Sequence, residues 1–213
     1  MFRNGRIALV LAPHTDDAEL GCGGTIAKML RHGMEVHIAA FSTAAESVPE
    51  GFGLESIKEE FVESCQSFGI PDDQVYVYDF PVRKLSYHRQ EVLDDLIFLR
   101  KKIDPDMVYV PATFDLHQDH QVLNAEGLRA FKERTLLGYE LPWNHISFDA
   151  TGFVELGDED VAAKWRALQC YKTQLFLERP YFTEKFIEGL AAVRGTQIHK
   201  KYAEAFQVLK VCL

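Results

Sequence analysis

Short, unbroken apolar runs alternate with amphipathic stretches along this chain. Ile-Ala-Leu-Val-Leu-Ala, ending at Ala12 behind Arg6, has the pattern of a strand buried on both faces. From Thr25 the spacing turns helical, and Gly33 stands where a C-terminal cap belongs, with Arg31 and His32 near the negative end of the dipole. Glu35 to Phe41 repeats the strand pattern, and Ile57 to Phe68 is a second helix stopped by Gly69. Val75 to Tyr78 predicts a third strand, Arg89 to Lys102 a strongly amphipathic helix halted by Asp104-Pro105, and Met107 to Val110 a fourth strand. Beyond these, 146–156 contains a strand-like portion, Val161 to Leu177 is expected as one long helix, and 183–193 as another, capped by Thr183.

Strands alternating with single helices imply right-handed βαβ units and a mainly parallel sheet with helices on both faces. The expected fold class is therefore α/β. No repeat, linker or low-complexity segment interrupts residues 1–213, so one domain is expected.

The formal net charge of −9 argues against nucleic acid, because phosphate contacts need clustered Lys and Arg. No apolar run approaches the roughly 20 residues of a membrane span, and the first apolar run ends at Pro13-His14 without a cleavage pattern. Cysteines 22, 65, 170 and 212 are scattered singly, which fits a reducing, cytoplasmic setting and excludes a thiolate metal site. Helix faces rich in Leu and Phe leave room for a homo-oligomer.

Ligands in open parallel sheets bind beyond the carboxyl ends of the strands. Two segments that follow strands carry dense metal-ligand chemistry: Ala12 to Gly24, with His14-Thr-Asp-Asp-Ala-Glu19, after the first, and Pro111 to His120, with Asp115, His117, Asp119 and His120, after the fourth. A catalytic zinc takes three protein ligands and leaves one position for water, whose pKa it lowers towards about 7. His14 and Asp17 lie three apart across a turn, and either His117 or His120 completes the set. A spare carboxylate suits a general base, the work assigned to Asp16, and a spare imidazole such as His117 suits oxyanion stabilisation or protonation of a leaving amine. Each residue has an ordinary alternative: Asp16 and Asp17 as helix-capping acids, the histidines as loop residues. Two such clusters on one rim of a sheet are hard to explain by capping. Gly21-Cys-Gly-Gly24 matches no phosphate-loop fingerprint and is read as packing the helix closely on the sheet.

These motifs resemble the LmbE-like or PIG-L-like zinc N-deacetylases, whose first motif His-Pro-Asp-Asp-x-Glu stands here as His14-Thr-Asp-Asp-Ala-Glu19 and whose His-x-Asp-His stands as His117-Gln-Asp-His120. Lys164, Ala167, Tyr171 and Gln174, then Arg194-Gly195 and Tyr202-Ala-Glu-Ala-Phe206, extend the likeness along nearly the whole chain. The resemblance implies a Rossmann-like fold, one Zn2+ held by His14, Asp17 and His120, Asp16 as base, and His117 at the oxyanion, oriented by Asp119. It also implies an N-acetylglucosamine-type sugar or glycoconjugate as substrate. Thr15 replaces the usual proline, Ile57-Lys58 stands where relatives often place an arginine, and His199 falls where a glycine is expected.

Residue types nominate Glu140, Trp143 and Asn144, in an expected loop at 138–144, for the sugar, and Arg83 and Arg194 for an anionic carrier. Rival readings are a zinc amidase for a non-sugar N-acyl substrate and a non-catalytic sugar-binding protein of the same fold.

Overall fold

The computed structural model describes residues 2–212; Met1 and Leu213, the ends of the expected domain, lie outside the described residues. Seven strands, β1 (Ile7–His14), β2 (Glu35–Ser42), β3 (Val75–Val77), β4 (Met107–Pro111), β5 (Thr135–Tyr139), β6 (Gly152–Leu156) and β7 (Tyr202–Lys210), join one sheet in the order β3-β2-β1-β4-β5-β7-β6. The pairings from β3 to β5 are parallel, and β7 runs antiparallel to both β5 and β6. The chain builds outwards from β1 to β3 on one side and from β4 on the other. The switch in strand order therefore falls between β1 and β4, where a crevice opens at the carboxyl ends.

The pleat of β1 divides the core. Ala8, Val10 and Ala12 face one cluster, with Ile26, Phe61, Leu168 and Ile187 from helices α1 (Asp17–Arg31), α2 (Ser56–Ser67), α5 (Asp158–Leu168) and α7 (Glu184–Thr196). Leu9 and Leu11 face the other, with Leu96 and Leu123 from α3 (Arg89–Ile103) and α4 (Gln118–Ala130). Residues 8–12 are wholly buried, which is why the run is continuously apolar rather than alternating.

Some elements differ from expectation. Helix α1 begins at Asp17, eight residues before Thr25, but it is interrupted at Cys22, whose φ −148 and ψ 25 are not helical, so the glycines flank a kink between two helical segments instead of forming a loop. Its end is as expected: Gly33, at φ 74, closes it with Gly33 N donating to Leu30 O and Met34 N to Met29 O. Gly138 and Tyr139 belong to strand β5, and only Glu140–Asn144 of the expected loop is loop. The expected helix 161–177 breaks after Leu168 and resumes as α6 (Lys172–Phe176). At the break, the Tyr171 hydroxyl donates to Thr15 O at 2.6 Å, a tertiary bond that a straight helix would forgo. The Thr183 cap is as expected, its Oγ1 accepting from Phe186 N at 3.2 Å. His199 has φ 57, the left-handed conformation that explains why a glycine was expected there.

Gly21 has no room for a side chain, since a Cβ would lie 2.3 Å from the Tyr139 ring. Gly21→Ala is expected to cost about 1–3 kcal/mol through overpacking. Urea unfolding would measure this, and an unchanged midpoint would show that α1 can shift off the sheet freely.

Candidate metal centre

The chain leaves β1 at His14 and enters α1 at Asp17 within one tight turn. The turn closes on Asp17 Oδ2, which accepts from His14 N at 2.9 Å and faces His14 Nδ1 at 3.1 Å. Asp16 holds the N-cap position of α1, yet its side chain makes no capping bond, so its carboxylate is free to line the crevice. The ordinary reading of that residue as a helix cap fails on this point.

Past β4, Asp115 turns the chain into α4. Its Oδ1 accepts from His117 N at 2.8 Å, and its Oδ2 meets His120 Nδ1 at 2.7 Å, with Asp115 and His120 both 1% exposed. His120 Nε2 is thereby aimed across the crevice, 3.2 Å from Asp17 Oδ2 and 3.3 Å from His14 Nδ1. The three atoms form a nearly equilateral triangle with edges of 3.1–3.3 Å. Bonds of about 2.0–2.1 Å to a tetrahedral ion place its ligands roughly 3.3 Å apart, so this donor set fits one small divalent cation. His117 stands close by, and nitrogens of His14, His117 and His120 lie within 4.8 Å of one another, a group that could hold a metal.

Each of the two inner imidazoles has its far nitrogen on a buried carboxylate. Asp115 backs His120, and Asp119 Oδ2 lies 3.1 Å from His14 Nε2. Such outer carboxylates fix the tautomer and direction of metal-binding histidines. Asp119 also accepts from Arg83 N at 2.5 Å and Leu85 N at 3.1 Å, which holds Arg83 at φ 64 beside the crevice. The resemblance implies that Asp119 orients His117. In the structure it is the Asp119 main-chain amide that contacts His117, donating to Nδ1 at 3.2 Å, while the Asp119 carboxylate meets His14. The reason is local: His117 is the N-cap of α4 and must satisfy an early amide of that helix.

The electrostatics follow from this crowding. Burial disfavours the charged form of His14, but hydrogen bonds with Asp119 and Asp17 more than offset it, raising its pKa to about 9. His120 behaves alike: burial opposes its charge, Asp17 and Asp115 outweigh burial, and the pKa reaches about 10. Asp17 is held well below the usual carboxylate range by the same two imidazoles, against burial. Burial and then the Asp17 charge push Asp16 up to about 6. Burial, with the His120 and His14 charges, lowers His117 to about 4, so it is neutral at pH 7. With Nδ1 accepting from Asp119 N, the proton of His117 resides on Nε2 as a donor.

A cleft of about 270 Å³ opens over these groups. Arg83, Trp143 and Asn144 line it, as do Gln174, Arg179 and Tyr181, which residue types alone did not single out for the cleft. Trp143 reaches the cleft because its loop is tied to the metal loop, with Leu116 N donating to Asn144 O at 2.9 Å. Its indole stacks on Tyr181 at 3.9 Å between centroids. Glu140 and Arg194 do not line the cleft. They pair with each other beside a separate small cavity, Arg194 Nε donating to Glu140 Oε2 at 2.9 Å, because a carboxylate this buried needs a counter-ion. Asp115, which the sequence reading gave no role, backs His120; its signal was a carboxylate five residues before that histidine.

Comparison with known proteins places the chain in a family. The family model described as PIG-L, GlcNAc-PI de-N-acetylase, matches residues 9–131. The diacetylchitobiose deacetylase of Thermococcus kodakarensis is 24% identical, over 97% of this chain and 84% of its own length. Conserved protein TT1542 of Thermus thermophilus superposes with a TM-score of 0.81 at 24% identity, covering 97% of this chain and 95% of that one. The 4-carboxy-2-hydroxymuconate hydratase of Pseudomonas putida KT2440 superposes with a TM-score of 0.78 at 18% identity, covering 98% of each chain. One fold thus carries different reactions, and the reaction has to be argued from the site.

Two outcomes are expected. At pH 7 the ligand-free imidazoles of His14 and His120 are protonated, whereas a metal ligand must be neutral, so Zn2+ binding should release more than one proton and tighten as pH rises towards 9. Calorimetric titration in buffers of differing ionisation enthalpy measures this, and zero release would mean that both imidazoles are already neutral at pH 7. Asp115→Asn should weaken Zn2+ binding about 10–100-fold; unaltered affinity would remove Asp115 from the centre.

Proposed function

Because the chain belongs to the PIG-L family, we propose that it is a zinc-dependent hydrolase removing the acetyl group from an N-acetylglucosamine-type sugar or glycoconjugate. The observation that carries this reading is the triangle of His14 Nδ1, Asp17 Oδ2 and His120 Nε2, with the uncapped Asp16 carboxylate beside it. These three residues would hold the ion, His14 and His120 each backed by its own carboxylate. A divalent ion there supplies Lewis acidity to an amide carbonyl and makes water more acidic.

The remaining roles belong to the chain. Asp16, ionised above about pH 6, takes the proton from the attacking water and carries it towards the leaving nitrogen. His117, neutral and protonated on Nε2, donates to the oxygen on which negative charge develops as the amide carbon becomes tetrahedral. Trp143 and Tyr181 offer aromatic faces to a pyranose ring, and Asn144 a side chain for its hydroxyls. Arg83 and Arg179 also line the cleft and, among the described residues, neither has a carboxylate partner within salt-bridge distance, which suits an acidic group on the sugar's carrier. An Asp16 carboxylate that makes no capping bond and lines the cleft speaks for turnover and against a protein that only binds sugar. The cysteines are free, consistent with a reducing cytoplasm, and no described helix is long and apolar enough to cross a membrane.

The test is acetate release by the zinc-loaded chain from N-acetylglucosamine, N,N'-diacetylchitobiose and acidic N-acetylglucosamine conjugates. Release is expected from at least one of them, with Asp16→Asn keeping its zinc while losing about 10²–10⁴-fold in kcat. No release from any N-acetylated sugar would overturn the substrate class, and a near-normal rate in the variant would remove Asp16 as the base.

A further inference from the structure

Helix α1 is broken. Cys22 has φ −148 and ψ 25, outside the helical region, so the turn that carries Asp17 and the length that packs under the sheet are two segments. In an unbroken helix the Leu20 carbonyl would accept from the Gly24 amide, four residues on. Here a buried ion pair stands between them. Lys164 Nζ, from α5, donates to Leu20 O at 2.8 Å and to Glu204 Oε1 at 2.7 Å. Glu204, from β7, accepts from Gly24 N at 3.0 Å through Oε1 and from Thr25 N at 2.7 Å through Oε2. Lys164 and Glu204 are 4% and 6% exposed.

The signs match the peptide dipoles on each side of the break. The ammonium sits at the carboxyl end of the first segment, and the carboxylate at the amino end of the second. The fit is close, since a Cβ on Gly23 would lie 2.8 Å from Lys164 Cγ. Neither residue touches the cleft; both line the small cavity beside the Glu140–Arg194 pair. Replacing such a pair by apolar side chains often leaves a fold no less stable, so its presence calls for a purpose other than stability.

We propose that Lys164 and Glu204 are positioning residues for the metal centre. The bridge holds the helix open at Cys22 and thereby sets the direction of the turn that presents Asp16 and Asp17, three to four residues before Leu20. Without it the turn would swing into line with the rest of α1, drawing Asp17 Oδ2 away from His14 and His120. The proposal rests on those three residues being the metal ligands.

The test is metal affinity by calorimetry and the visible spectrum of the Co2+-loaded protein, for wild type, Lys164→Met/Glu204→Gln, and Lys164→Arg. Leu96→Ala, on the opposite face of the sheet, serves as a control for stability alone. The double variant should lose about 10–100-fold in affinity, as loss of an outer support does, and show altered Co2+ bands. Lys164→Arg should recover much of both, and Leu96→Ala should change neither although it melts earlier. Wild-type affinity and spectrum in the double variant, or the same loss in Leu96→Ala, would overturn the proposal. Failure of the wild type to bind Zn2+ or Co2+ would instead overturn the ligand assignment beneath it. Should the double variant not fold, the same readouts on Lys164→Gln alone decide between these outcomes.

Discussion

Two imidazole nitrogens and a carboxylate oxygen stand within 3.3 Å of one another beneath the cleft, and nearly everything around them answers to that crowding. Groups so close need either a cation or shared protons between them. The raised basicity of His14 and His120 is the protonic answer, and a divalent ion is the other. Holding the triangle in place requires a second ring of charge: Asp115 behind one ring, Asp119 behind the other. Asp119 extends the constraint further, because the same carboxylate holds the main chain at Arg83 and Leu85 and so ties one wall of the cleft to His14.

The scaffold meets this demand at the one place a parallel sheet makes available. Strands β1 and β4 are neighbours whose chains leave in opposite directions, so the loops that follow them face each other across a gap. Close approach of α1 to the sheet, through Gly21 against Tyr139, brings Asp17 down to the level of His120. The hydroxyl of Tyr139 donates to Leu11 O at 2.9 Å and that of Tyr171 to Thr15 O, so both flanks of His14 are pinned by tyrosines from distant elements.

Much of this was legible in the residue order. Continuous apolar runs identified the buried strands because burial on both faces removes the usual alternation. That His14, Asp17 and His120 come together was legible because both segments follow strands whose ends must share a rim. The misreadings have a common cause. Gly21 to Gly24 looked like a loop because glycine is poor in helices; the helix is interrupted there at Cys22, and the small size of Gly21 is required for packing against β5. Gln169 to Tyr171 looked helical because local spacing carries no trace of the bond from Tyr171 to Thr15. Strand β5 was read in part as loop because Gly138 weakens its pattern, though it is buried against Ala112.

Composition, periodicity and motif spacing were therefore enough for the α/β class, and for bringing the two ligand-type clusters to one rim of the sheet. These properties are local, or follow from the fixed hand of βαβ connections. Long-range contacts decided the rest: which carboxylate serves which histidine, that Glu140 and Arg194 neutralise each other outside the cleft, and that Lys164 and Glu204 bridge a broken helix. Each of these turns on distances between residues up to 180 positions apart. Such distances exist only once the sheet has closed around its core.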